Sequence, residues 1–292
     1  FGGSFSTAQA TEFITNWQVV DQYTATGWFG QTWTGTGFSA TLFKNNKTNA
    51  YTLAIRGSTG ANDFLADAQL IATDGVAFDQ LIELYNYWQS LNAPAGANYQ
   101  AAYLKTSVAE TAQLSLLWAA TQVPMADAAA IPAYMAYKAY LENAGFRVQN
   151  GTVKEVARGN STDVLTGTQL VTGSGKISIC PNLDVVGHSL GGHLSMAFPR
   201  LFPSVNANVL AVNGLGFKSG NATVSNLFSK LGGAASFNSS QIQNVYGIAG
   251  PEFATMNNSI LQQPGGYDGV YIESGSLLPP IMGGHSMSQM TD

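Results

Sequence analysis

Charge is scarce in this chain. Lys and Arg number 12 and Asp and Glu 17, so charged side chains make up 10% of the 292 residues, against about 25% in an ordinary soluble domain. The net charge is −5 and no Lys/Arg cluster is present, which argues against nucleic acid as a partner, because phosphates demand a basic face. Cysteine is nearly absent as well: Cys180 alone excludes an internal disulfide and any cysteine-based zinc site. With only His188, His193 and His285 to add, no metal site is assigned. No apolar run reaches the ~18 residues of a membrane span. The nearest stretch, 111–126, is interrupted by Gln113, Gln122 and Pro124. The start, Phe1-Gly2-Gly3-Ser4, has neither the basic opening nor the apolar core of a signal peptide.

Apolar residues stand at 45%, which excludes disorder and supplies a sizeable core. The missing charges are replaced by Gly, Ser, Thr, Asn and Gln. Such a surface suits contact with apolar or neutral material and suits secreted enzymes, so an extracellular location is expected. No internal repeat is present. The length fits a single domain, 1–292.

Residues 38–43 and 51–56 read as a hairpin about the turn Lys44-Asn45-Asn46-Lys47. Over 76–91, Leu81, Leu84, Tyr85 and Trp88 recur at helical spacing. Residues 99–145 are expected to be helical in two or three pieces, broken at Pro124 and Pro132. Extended stretches are expected around 146–153 and 165–171, then a turn at 172–175. The run Leu183-Asp184-Val185-Val186 reads as a strand, 193–202 as a helix weakened by Pro199, and 208–212 and 242–248 as further strands. Strands alternating with helices argue for an α/β fold, a mostly parallel central sheet with helices on both faces.

Between the strand at 183–186 and the helix after it stands Gly187-His188-Ser189-Leu190-Gly191-Gly192. Strand, Gly-x-Ser-x-Gly, helix is the setting of a nucleophile elbow, a turn so tight that Gly187 and Gly191 must leave room for it. The Ser189 hydroxyl is then presented above the sheet edge, beside the free N–H groups of a helix N-terminus. A serine hydroxyl needs an imidazole to take its proton. In this architecture an acid and then a histidine follow the serine in chain order. His285, in Gly283-Gly284-His285-Ser286, is the candidate base. His188 and His193 read as packing residues. The candidate acids are Glu252, just beyond the strand at 242–248, and Asp268 in Gly265-Gly266-Tyr267-Asp268-Gly269, which reads as a tight turn. Glu252 is favoured and Asp268 stays open. The backbone N–H of Leu190, directly after the nucleophile, is the first candidate oxyanion donor. An earlier strand should supply the second, and Leu53-Ala54-Ile55-Arg56-Gly57-Ser58 is a strand that ends in a Gly/Ser turn.

Ile55-Arg56-Gly57-Ser58 and Asp63-Phe64-Leu65-Ala66-Asp67, together with Gly187-His188-Ser189-Leu190-Gly191-Gly192, resemble the core motifs of class 3 triacylglycerol lipases. Gly192-His193-Leu194, Arg200-Leu201-Phe202-Pro203-Ser204, Val212-Asn213-Gly214-Leu215-Gly216-Phe217 and Phe78-Asp79-Gln80-Leu81 are similar to the bacterial lipases exported by type I secretion. The resemblance covers about 38–90 and 180–290. It implies an α/β-hydrolase fold, hydrolysis of lipid esters, Ser189 as nucleophile, His285 as base and Ser58 at the oxyanion hole. The family's acid is usually Asp, from which Glu252 departs. Those bacterial lipases carry Gly/Asp-rich calcium repeats that this sequence lacks, so calcium is left open with no ligand set, and no other cofactor is expected.

Residues 111–137 contain no Lys or Arg but hold Leu114, Leu116, Leu117, Trp118, Val123, Met125, Ile131, Tyr134 and Met135. They read either as a buried helix pair or as part of a helical lid or cap insertion at about 99–145, opening on a lipid–water interface. The leading function is therefore a triacylglycerol lipase, a serine carboxylic ester hydrolase. Alternatives are a phospholipase or a polyester or short-chain esterase using the same triad, and, less favoured, an inactive hydrolase fold serving as a binding module. A peptidase is disfavoured because the oxyanion block resembles lipases.

Overall fold

The computed structural model describes residues 6–25, 36–57, 71, 74–123, 129–149, 151–177, 182–248, 257 and 260–271. In chain order these form α1 (Thr7–Asn16), β1 (Trp17–Thr24), β2 (Ser39–Asn45), β3 (Tyr51–Ile55), α2 (Phe78–Asn92), β4 (Gln100–Thr106), α3 (Val108–Thr121), α4 (Ala130–Asn143), β5 (Arg147–Gln149) and β6 (Thr152–Asn160). After them come the short α5 (Ser161–Val164), β7 (Leu183–His188), α6 (Leu190–Leu201), β8 (Ala207–Val212), α7 (Ala222–Lys230), β9 (Ile242–Gly247) and β10 (Gly266–Val270).

Seven strands make the central sheet in the order β1-β2-β3-β7-β8-β9-β10. β1, β2 and β3 run as an antiparallel meander, and every pairing from β3 to β10 is parallel. Leu42, Leu53, Val185 and Val209 are paired in sequence across four strands and all are buried, because directly paired residues share a face. α6 covers that face. All twelve of its residues are buried, as expected of a helix enclosed on every side. Phe198 meets Trp88 of α2 edge-on at 4.8 Å and Phe202 at 4.9 Å, so α2 forms the next layer. Pro199 falls in the last turn of α6, where its missing N–H leaves the Ser195 carbonyl without its helical donor, and the helix ends two residues later at Leu201. On the opposite face α1 packs at one corner, Phe13 against Phe43 at 5.5 Å. Farther along that face Leu210 of β8 is 46% exposed. This mixed, mostly parallel sheet with a helix after each of β7 and β8 is compatible with an α/β-hydrolase fold.

A second sheet, β4-β6-β5, is antiparallel throughout. α3 and α4 lie against it around Leu114, Leu141 and Val153. The 99–145 segment is thus not helical from its start: residues 100–106 form β4. Two adjacent alanines, Ala101 and Ala102, are both buried there, and the Asn86 amide clamps the backbone N–H and carbonyl of Ala102 at 2.7 and 2.8 Å. Pro132 does not break α4, since it stands in the first turn, where no N–H is needed. The stretch 146–153 is extended as expected, as a hairpin. Residues 165–171 are turns rather than a strand, pinned by the Tyr99 hydroxyl, which donates to the Leu170 carbonyl. The expected tight turn at 265–269 is largely β10, an edge strand held by its parallel pairing with β9.

Arg147 of β5 joins this module to the start of α2. Its guanidinium is 5% exposed, lies 2.6 Å from Asp79 and 3.5 Å from Asp74, and sits over the Phe78 ring. Removing one partner of a buried ion pair leaves the other uncompensated. Arg147→Ala is therefore expected to cost about 2–4 kcal/mol in denaturant unfolding monitored by circular dichroism. A change below about 0.5 kcal/mol, the usual limit for neutral surface substitutions, would contradict this view of the junction.

Candidate active site

β7 ends at His188 and α6 begins at Leu190, so a single residue makes the whole turn between them. That residue is Ser189, at φ 57° and ψ −121°. A side chain resists such a conformation at a cost of about 1–3 kcal/mol. The surroundings enforce it: the Ser189 N–H donates to the Val212 carbonyl at 2.9 Å, and the Ser189 carbonyl accepts the first helical bond from His193 N–H at 3.0 Å. The two flanking glycines are explained by collisions. A Cβ on Gly187 would fall on the Gly191 carbonyl, and a Cβ on Gly191 would fall on the Ile55 carbonyl of β3. The Leu190 N–H is in the first turn of α6, where backbone donors have no partner within the helix.

Because β3 is paired directly with β7, the chain leaving β3 passes beside the elbow. A Cβ on Gly57 would stand 2.5 Å from the His188 oxygen and 3.4 Å from the Ser189 Cβ. Ser58 is the next residue and lies outside the described residues, as do Glu252 and His285. Ser189, Leu190, Gly187 and Gly191 are thus brought together. Asp268 is in the middle of β10, paired with Val245 and exposed. Its carboxylate accepts a hydrogen bond from the Gln243 amide at 2.5 Å, and three strand steps separate β10 from β7.

Three residues that the sequence reading left to packing or passed over hold the frame of this site. His193 is fully buried on α6. Its Nε2 accepts the Ala77 N–H at 3.1 Å, its Nδ1 faces the Leu215 carbonyl at 3.0 Å, and its ring stacks on Phe217 at 4.1 Å. These contacts define the neutral tautomer with the proton on Nδ1, and burial pulls its pKa down to about 4. Asn213, directly after β8 at φ 48°, accepts the Gly247 N–H at 3.0 Å and so ties the end of β9 to the end of β8. Asn244, fully buried, bridges the Gly214 N–H at 3.0 Å, the Gly214 carbonyl at 2.8 Å and the Gln263 amide oxygen at 2.9 Å. The signal available in the sequence was Asn213-Gly214 following a strand, since Asn and Gly are the residues that tolerate positive φ.

Among the described residues no three or more His, Cys, Asp or Glu gather as a metal site, so the calcium left open by the resemblance finds no donor set among them and no chemical step is drawn through it. No helix among them is long and apolar enough to cross a membrane. No family model matches the sequence, and no curated protein matches it, so the wording shared with type-I-secreted bacterial lipases has no family match beside it. Among solved structures the chain is similar to the crystal structure of the Lip2 lipase from Yarrowia lipolytica. Identity is 14%, the TM-score is 0.39, and the match covers 95% of this chain and 76% of that one.

Two outcomes follow from this geometry. Ser189→Gly should unfold at higher temperature than Ser189→Ala, by the equivalent of about 1 kcal/mol, because only glycine takes this backbone conformation without strain. Equal melting temperatures would mean that the turn is unstrained. His193 stays neutral in the fold while the unfolded imidazole protonates near its ordinary 6.5, so its contribution to stability is lost as pH falls from about 6.5 towards 4. Relative to His193→Gln, whose amide does not titrate, the wild type should lose roughly 3 kcal/mol over that window. Parallel pH profiles for the two would refute the neutral assignment.

Proposed function

We propose that this chain is a serine carboxylic ester hydrolase acting on lipid esters, a triacylglycerol lipase in its leading substrate. The observation that carries the reading is Ser189, held in a strained conformation at the carboxyl end of a central parallel strand, with a helix N-terminus directly behind it. Ser189 Oγ attacks the ester carbonyl carbon while His285 takes its proton, and a tetrahedral oxyanion forms. The N–H groups of Leu190 and Ser58 stabilise that oxyanion as its charge develops. His285 then protonates the departing alcohol, leaving an acyl-enzyme. Water, deprotonated by the same imidazole, releases the fatty acid.

A carboxylate orients His285 and stabilises its charged form. Glu252 is supported for this role because it follows β9, two strand steps from the nucleophile strand, at the carboxyl ends where reactive groups collect. Asp268 is the alternative, one strand farther out and engaged by Gln243.

The lipid preference draws support from α3 and α4. Each buries a single residue, Leu114 and Leu141, so of the two readings of 111–137 a buried helix pair is not what is found. Val108, Leu116, Trp118 (52% exposed), Ile131, Met135 and Tyr140 stand in solvent, and large exposed apolar area is usually an interaction surface. Facing a lipid–water interface, it places the enzyme on its substrate. An extracellular setting fits this reading.

The test compares initial rates on a soluble butyrate ester and an emulsified long-chain triglyceride. The wild type should hydrolyse both, with triglyceride turnover rising steeply above the solubility limit. Ser189→Ala and His285→Ala should each lose about 10⁴-fold or more, and Glu252→Gln should lose more than Asp268→Asn. Triglyceride turnover unaffected by Ser189→Ala would refute the reading, while activity confined to the soluble ester would reduce the enzyme to an esterase.

A further inference from the structure

A cleft of about 240 Å³ is lined by Arg200 in the last turn of α6, by residues 217–221 and the start of α7, and by residues 235–237 and 262–264. Its polar lining includes Arg200, Lys218, Ser219, Asn221, Ser225 and Ser236, and no acidic residue lines it. In a chain with 17 acidic and only 12 basic side chains, two cations sharing one cleft without a carboxylate form a local reversal of charge.

Arg200 is the unusual member. It is 5% exposed, yet no carboxylate pairs with it among the described residues. Nε and Nη2 donate to the Ala234 and Ala235 carbonyls at 3.1 and 2.7 Å. The guanidinium lies over the Phe228 and Phe237 rings at 4.2 and 4.7 Å. These contacts fix its plane and use Nε and Nη2, with no hydrogen bond from Nη1 among the described residues. A buried charge is ordinarily paired, and burial alone pulls the Arg200 pKa below its usual value, with no opposing charge acting to raise it. Lys218, half-buried on the same cleft, forms no ion pair among the described residues either. The third element is α7. Asn221 caps it by accepting the Thr223 N–H at 2.7 Å, and its first turn holds no acidic residue, so the positive end of the helix faces the cleft uncompensated.

We propose that this cleft binds a phosphate group, held by Arg200 and Lys218 against the N-terminus of α7. Phosphate suits the lining better than a carboxylate. Two cations, three serine hydroxyls and a helix end supply donors from more directions than the two oxygens of a carboxylate can use, whereas a tetrahedral anion presents four. The site is separate from Ser189 and does not depend on the hydrolase reading. Phe217 lines the cleft and stacks on His193, so occupancy would bear on the helix that carries the elbow.

Sodium phosphate is titrated into the wild type by calorimetry and thermal unfolding at pH 7, against sodium chloride of equal ionic strength. Phosphate should give a saturable heat and a rise in melting temperature that chloride does not reproduce. Lys218→Ala should weaken binding at least tenfold, and Lys218→Arg should restore most of it. Because the Lys218 side chain forms no hydrogen bond or ion pair among the described residues, the variant is expected to stay folded even if Arg200→Met does not. Vesicles containing phosphatidic acid, measured by co-sedimentation, distinguish the source: Lys218-dependent binding to vesicles without binding of free phosphate assigns the group to a lipid headgroup. Identical responses to phosphate and chloride with no Lys218-dependent vesicle binding, or full affinity in Lys218→Ala, would overturn the proposal.

Discussion

The backbone of one residue constrains the centre of this molecule. Strand β7 must become helix α6 across Ser189 alone, and the left-handed conformation there is tolerated only because everything around it is over-determined. The Val212 carbonyl holds the Ser189 N–H from β8, the Ile55 carbonyl crowds Gly191 from β3, and α6 is buried along its entire length. None of these contacts is chemically reactive. Together they hold Ser189 between the ends of β7 and β8 at the first turn of α6, whose N–H groups have no partner within the helix, and strain stored in this way is typical of functional turns.

Around that turn the polar interior is made almost entirely of neutral groups. His193, Asn213 and Asn244 join α6, the ends of β8 and β9, and the segment at 77 through hydrogen bonds between amides, carbonyls and an uncharged imidazole. A neutral network avoids the desolvation penalty of buried charge, which accords with a sequence so poor in ionisable residues. Where charge is buried, at Arg147 and Arg200, it lies at junctions: one between the small sheet and the start of α2, the other between α6 and the loop at 234–235.

The elbow was legible in the sequence because its steric demand can be met by few residues, and Gly187 and Gly191 record it directly. The same holds for β3, β7, β8 and β9, whose apolar residues fall mostly on one buried face and which pair with a strand on either side. β4 was not legible. Its Ala-Ala pair lacks alternation and is extended because Asn86 and β6 hold it, contacts 16 and about 60 residues away in sequence. β10 is written in turn residues, Gly266-Tyr267-Asp268-Gly269, and becomes a strand only through β9. The nature of 111–137 escaped for the same reason. Its apolar residues show no strong one-sided pattern, so sequence alone could not say that only Leu114 and Leu141 of α3 and α4 turn inward.

The adjacency of β3 and β7 has a kinetic side. Leu53 pairs with Val185, residues separated by 132 positions, and the whole β4–β6 module lies in the intervening loop. Closing so long a loop costs chain entropy before any contact repays it, and pairings of this separation slow folding. The module between them, whose antiparallel pairings close loops of at most 60 residues and which has its own small core, meets less of this delay and can collapse first. Ser189 and the segment at 56–57 meet only when the long loop between β3 and β7 closes, so their juxtaposition is expected among the last features the chain acquires and among the first that partial unfolding removes.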